Sequence, residues 1–109
     1  MSTRILALAA YFAAASIYPA SAQEAGNPDA GFDYAKQSCA HCHAIRRGDN
    51  RSPNPKAPSF ETIANVSGMT GISLAATLHS VHETMPNFVL RAKERDNVIA
   101  YILSLKREH

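Results

Sequence analysis

The chain has 109 residues, eleven basic and nine acidic side chains, a formal charge of +2 and two cysteines. That balance lacks the basic excess of a nucleic-acid binder, and Cys39 and Cys42 lie too close together in sequence to staple distant segments. One small domain is implied; at this size a chain buries only about two-thirds of its unfolded surface and often needs a metal, disulfides or a large cofactor to complete its core.

The first segment reads as an address. Arg4 gives a short positive start, Ile5 to Ile17 is an almost unbroken apolar run, and Ala20-Ser21-Ala22 fits a small-residue cleavage site. About 13 residues at ~1.5 Å each cover ~20 Å, short of the ~30 Å hydrocarbon core of a bilayer. Residues 1–22 are therefore expected to be a cleaved secretory signal, with a retained N-terminal anchor as the competing reading. Cleavage leaves a domain of 87 residues, 23–109, with a formal charge of +1.

Within that domain Asn27-Pro28 predicts a helix start, Asn as N-cap and Pro at the first helical position. Phe32, Ala35 and Cys39 recur at helical spacing, so this helix should deliver Cys39 to the core. Residues 45–57 hold Gly48, Pro53 and Pro55 among polar residues and predict a loop. Ser59 caps a short predicted helix through about Val66, with Phe60, Ile63 and Ala64 facing inward. Residues 67–71 predict a turn. Ser73 is the expected cap of a third helix bearing Leu74, Leu78 and Val81, ended by the irregular Met85-Pro86-Asn87. A last helix is expected from about Arg91 to Lys106, with Val98, Tyr101, Ile102 and Leu105 on one face. Its start is poorly signalled, because Arg91-Ala92-Lys93 offers no good cap and sets positive charge at the positive end of the dipole. No strand pattern appears.

The chemistry concentrates in Cys39-Ala40-His41-Cys42-His43, the Cys-x-x-Cys-His attachment signature of c-type haem. Two thiols three positions apart near a helix end can reach two neighbouring vinyl groups and form thioethers. The adjacent histidine is then held beneath the iron as proximal ligand. A thioredoxin-like pair competes, but belongs near a βαβ pattern. A half zinc site competes too, with only His79 and His82 as awkward completion. The export signal favours haem, since this attachment takes place outside the cytoplasm.

The mature chain resembles the class I c-type cytochromes, in their small bacterial monohaem form, across nearly its whole length. Gly31 stands eight residues before Cys39, where that family crosses its first and last helices, and Tyr101 matches the aromatic that meets the crossing. Residues 56–60, Lys-Ala-Pro-Ser-Phe, resemble the loop beneath the haem; residues 84–88, Thr-Met-Pro-Asn-Phe, resemble the segment carrying the sixth ligand. The missing Ser or Thr cap before Glu94 is a departure. The resemblance implies an all-α cytochrome c fold of about four helices around one haem c. It also implies that the Pro58 carbonyl, with Pro55 second, accepts the proximal histidine's ring N–H.

An electron-transfer haem is best served by two strong protein ligands. Met85, braced by Pro86, is the expected sixth ligand; Met69 reads as core filler, and His79 and His82 are the rivals. His41 is expected to face solvent. The cofactor-binding set is thus Cys39, Cys42, His43, Met85, Pro58 and Phe60, with His43 and Met85 on the metal and no catalytic residue. Arg46, Arg47, Arg51 and Lys56 are a candidate basic docking rim, with a solvated loop as the alternative. The expected function is a periplasmic, monomeric electron carrier, not an enzyme, serving redox partners such as a cytochrome complex, an oxidase or a dehydrogenase. A permanent haem subunit of a periplasmic dehydrogenase, with Val89 and Leu90 near its interface, is one alternative. A ligand-binding or peroxidase-like haem protein, if Met85 does not ligate, is the other.

Overall fold

The computed structural model describes residues 26–80, 85 and 90–108. The expected signal at 1–22, together with Val81, His82, Phe88 and Val89, lies outside them. The described residues form four α-helices and no strand, as the sequence implied.

Helix α1, Pro28–Ser38, begins as expected: the Asn27 side-chain oxygen accepts from the backbone N–H of Asp29 (2.9 Å) and Ala30 (3.3 Å). Its C-cap is Cys39, so the helix ends where the motif begins. Helix α2, Phe60–Ala64, is capped by Ser59, whose Oγ accepts from Thr62 N–H at 3.1 Å. It stops short of the expected Val66. The Asn65 amide donates to the carbonyls of Glu61 (2.7 Å) and Leu105 (3.3 Å), and so turns the chain out of the helix.

Helix α3, Gly71–His79, starts two residues before the predicted cap. Thr70, in extended backbone, supplies the capping oxygen, and Ser73 donates its N–H to it at 3.2 Å instead of capping. Helix α4, Ala92–Ser104, is shorter at both ends than expected. Its start is stabilised from inside, because the Glu94 carboxylate accepts the Arg91 backbone N–H at 3.1 Å. That is half of a capping box, and it also sets negative charge at a helix start flanked by Arg91 and Lys93.

The core gathers on α4. Val98, Ile99 and Ile102 pack with Ala35, Ile45, Phe60, Ala64 and Leu74. Helix α1 crosses α4 at Gly31 with almost no clearance: a Cβ there would stand 1.9 Å from the Asn97 carbonyl oxygen and 2.9 Å from Tyr101 Cβ. Gly26, which the sequence did not single out, approaches the Asp96 carbonyl as closely, at 2.0 Å for a Cβ. The Asn97 side chain accepts the Asn27 N–H at 2.8 Å, fixing how α1 lies along α4. Phe32 packs on Tyr101, ring centroids 5.2 Å apart, and the Tyr101 hydroxyl donates to the Ile45 carbonyl at 2.5 Å.

Because the obstructing atoms at Gly31 are backbone, the clash cannot be relieved by a rotamer change. Gly31→Ala is expected to destabilise the folded protein by about 3 kcal/mol, the upper end for overpacking, measured as a lowered denaturant midpoint. An unchanged midpoint would contradict the close crossing.

Candidate cofactor site

The motif is a hydrogen-bonded turn continuing from α1. Cys39 N–H and Ala40 N–H both donate to the Ala35 carbonyl (2.8 and 2.9 Å), and Cys42 N–H (3.2 Å) and His43 N–H (3.0 Å) both donate to the Cys39 carbonyl. Residues at i, i+3 and i+4 of such a turn share one face. Cys39, Cys42 and His43 accordingly all line one cavity of about 570 Å³.

The loop after the motif folds back and is stitched to it. Asn54 N–H donates to the Cys42 carbonyl (3.1 Å), and Phe60 N–H donates to the Ala44 carbonyl (2.9 Å). Ala44 N–H donates to Ser52 Oγ at 2.9 Å. These bonds bring Pro58 beneath His43, whose Nδ1 lies 2.6 Å from the Pro58 carbonyl oxygen. A carbonyl only accepts, so a proton sits on Nδ1, and in the neutral ring Nε2 is the nitrogen left to bind a metal. Pro58, rather than Pro55, is the acceptor. The buried Phe60 ring packs beside the imidazole, centroids 5.4 Å apart, and restricts its orientation.

Glu61 holds the loop to α2 and is only 6 % exposed. Its Oε2 accepts the Gly48 N–H at 2.7 Å, while Arg107 Nε lies 3.5 Å from Oε1. Gly48 has φ +81°, the left-handed turn conformation that glycine accepts without strain. The Gly48 hydrogen bond foremost, then Arg107 and Arg47, hold the Glu61 carboxyl below its ordinary value against the opposing effect of burial.

Met85 is half-buried and lines the same cavity as the motif. So does Met69, which also packs against the core. His79 is not in the lining; its Nε2 lies 3.1 Å from Arg95 Nη1. His41 is exposed at the cavity's edge. Two of the four rim residues are engaged in the fold: Arg46 lies over the Phe32 ring at 5.0 Å, and Arg47 donates to the Ser104 carbonyl at 2.5 Å. Tyr34, Thr77 and Leu90 also line the cavity, and no apolar periodicity marks Tyr34 for it.

The remaining wall is largely hydrocarbon: Ile63, Leu74, Leu78, Val98 and Ile102. A volume of about 570 Å³ is within the usual range for a cofactor pocket. Walls of this composition gain stability when an apolar occupant covers them. A haem fits this donor set: two sulfurs and an imidazole with a free Nε2 along one turn, and thioether sulfur in the lining. Burial pushes the Cys39 thiol up to about 11, the opposite of the lowered thiol of a redox-active Cys-x-x-Cys. Among the described residues no group of three or more His, Cys, Asp or Glu could hold a metal ion.

A carboxylate held below its ordinary value adds stability above that value and loses it as pH falls through its folded value. Glu61→Gln is expected to lower the denaturation midpoint at pH 7. It should also flatten the decline in stability between about pH 5 and pH 3, where an ordinary glutamate takes up its proton. Parallel pH profiles for the two proteins would show that Glu61 contributes no such linkage.

The chain is 36% identical over 93 residues to Cytochrome c-552 of Bradyrhizobium diazoefficiens, a match covering 85% of this chain and 86% of that protein. No family model and no solved structure matches the chain.

Proposed function

The chain belongs to the c-type cytochromes, and from that membership we propose that it is an exported monohaem electron carrier with His43 and Met85 as axial ligands. Thioether bonds from Cys39 and Cys42 hold one haem c. The observation that carries this reading is the His43 imidazole, bound through Nδ1 to Pro58 and leaving Nε2 free in a cavity lined also by Cys39, Cys42 and Met85.

When bound, the haem supplies a one-electron Fe(III)/Fe(II) couple. The chain's own residues set its conditions. Pro58 fixes the tautomer of His43 and makes the ring a stronger donor. Phe60 keeps that ring from rotating, so little reorganises when the charge changes. Ile63, Leu74 and Leu78 would keep water from the haem, and a thioether from Met85 would raise the potential by favouring the reduced state. With His43 and Met85 both bound to it, the haem would keep no open position for a substrate, and the chain would serve as a carrier rather than an enzyme. It works as a monomer in the periplasm, exchanging electrons in brief contacts with a cytochrome complex, oxidase or dehydrogenase.

Because Met69 shares the cavity with Met85, the two must be compared directly. Met85→Ala is expected to abolish the sulfur-to-iron charge-transfer absorption of the ferric protein and to open the reduced iron to carbon monoxide. Met69→Ala should leave both unchanged. The reverse pattern would transfer ligation to Met69, and carbon monoxide binding by the unsubstituted protein would point to a ligand-binding haem.

No described helix is long and apolar enough to cross a membrane. Expression in a haem-attaching bacterial host should yield periplasmic protein whose mass corresponds to one haem on a chain starting at Gln23. A membrane-associated product retaining residues 1–22 would establish the anchor instead.

A further inference from the structure

The turn from Asn65 to Met69 stands between the cofactor cavity and solvent. Val66 and Met69 line the cavity, while Asn65, Ser67 and Gly68 are exposed. Apolar packing holds only one end of it, since Met69 lies against the central cluster whereas Val66 is 51% exposed. Met69 N–H donates to the Val66 carbonyl at 3.0 Å, which closes the turn without fixing it to the fold. Among the described residues, every hydrogen bond from the turn to a distant part of the chain goes to Leu105, Lys106 or Arg107.

Asn65 is the centre of that connection. Its Nδ2 donates to the Glu61 carbonyl (2.7 Å) and the Leu105 carbonyl (3.3 Å), and its Oδ1 accepts the Arg107 backbone N–H at 2.8 Å. Two carbonyls and an N–H leave one orientation of the amide, because the flipped amide would set acceptor against acceptor and donor against donor. At the other end of the turn the Lys106 ammonium donates to the Met69 carbonyl. The tail is itself anchored: Leu105 is buried in the core, and Arg107 Nε lies 3.5 Å from the Glu61 carboxylate.

We propose that Asn65 is a positioning residue of the cofactor site, which uses the tail at Leu105–Arg107 to hold Val66 and Met69 against the cavity and so keeps water from the haem. The proposal rests on the electron-carrier reading above and extends it to the potential. A ferric haem core carries one more positive charge than a ferrous one, so water that reaches it favours the oxidised state and lowers the potential.

The test compares holoproteins in a mediator buffer poised where reduced and oxidised forms of the unsubstituted protein are equal. Asn65→Ala alters no charge, so a change in its ratio of reduced to oxidised protein reports on the wall. That ratio is expected to fall about threefold, with the sulfur-to-iron charge-transfer absorption retained. Asn27→Ala removes the cap of α1, outside the cavity lining, and should lower the denaturant midpoint while leaving the ratio unchanged. An unchanged or raised ratio in Asn65→Ala, loss of its charge-transfer absorption, or an equal fall in Asn27→Ala would overturn the proposal. If Asn65→Ala does not accumulate as holoprotein, Lys106→Ala decides by the same comparison, read at high salt so that the lost surface charge is screened. Carbon monoxide binding by the unsubstituted protein rejects the electron-carrier reading itself, whereas a working carrier with an unaltered ratio in the variant rejects only the role of Asn65.

Discussion

The structure depends on how closely α1 passes α4. At Gly31 the backbones meet with no space for a single carbon, and at Gly26 the approach is as tight. That closeness lets Asn97 accept the Asn27 N–H and lets the Phe32 and Tyr101 rings pack together. Since α1 ends at Cys39, the crossing also sets where the motif begins. A shift of α1 along α4 would carry both sulfurs with it. The position of the site is decided by helix packing before any cofactor chemistry enters.

The loop from Ala44 to Ser59 depends on the same crossing from the other side. Tyr101, seated against α1, donates to the Ile45 carbonyl, while Arg47 donates to Ser104 at the end of α4. Glu61 then anchors the turn at Gly48 onto α2. With the loop held at both ends, Pro58 comes to His43 at hydrogen-bond distance. One histidine tautomer is thus supported by contacts spread over three helices. Each hydrogen bond contributes only about 0.5–1.5 kcal/mol, or about 1.5–3 kcal/mol where a charged group takes part, so it is their shared geometry, more than any single bond, that fixes the ring.

Much of this was legible in the sequence, and for identifiable reasons. Asn27-Pro28 and Ser59 are local capping signals, and they act locally in the structure. The helix boundaries that shifted depend on tertiary competition. Asn65 ends α2 by bonding to Leu105, forty residues away, which no local pattern encodes. At α3 the cap is Thr70 rather than the expected Ser73, because Gly71, read as part of a turn, takes the first helical position, where its N–H needs no intrahelical partner. Gly26 escaped notice because its role exists only opposite Asp96. In the site, the expectation for Cys39, Cys42 and His43 rested on five consecutive residues, and the turn they form brings all three to one cavity. Pro58 and Phe60 needed the loop's return to reach the same imidazole. That Met69 lines the cavity could not be read at all, because a lone methionine in a turn has no periodicity.

The division of labour between core and site follows from size. Phe60, Leu74, Val98 and Ile102 belong both to the central cluster and to the cavity wall. The chain has no separate hydrophobic interior with a pocket attached; one face of its core is the site. Small domains have only about 5–15 kcal/mol of net stability, so covering an apolar wall adds to a small total. Attachment at Cys39 and Cys42 would therefore complete the core as well as install the electron carrier. This accounts for the concentration of hydrogen bonds on the motif and its returning loop. Ile45 and Phe60 tie those segments into the core, and polar contacts order the residues between them.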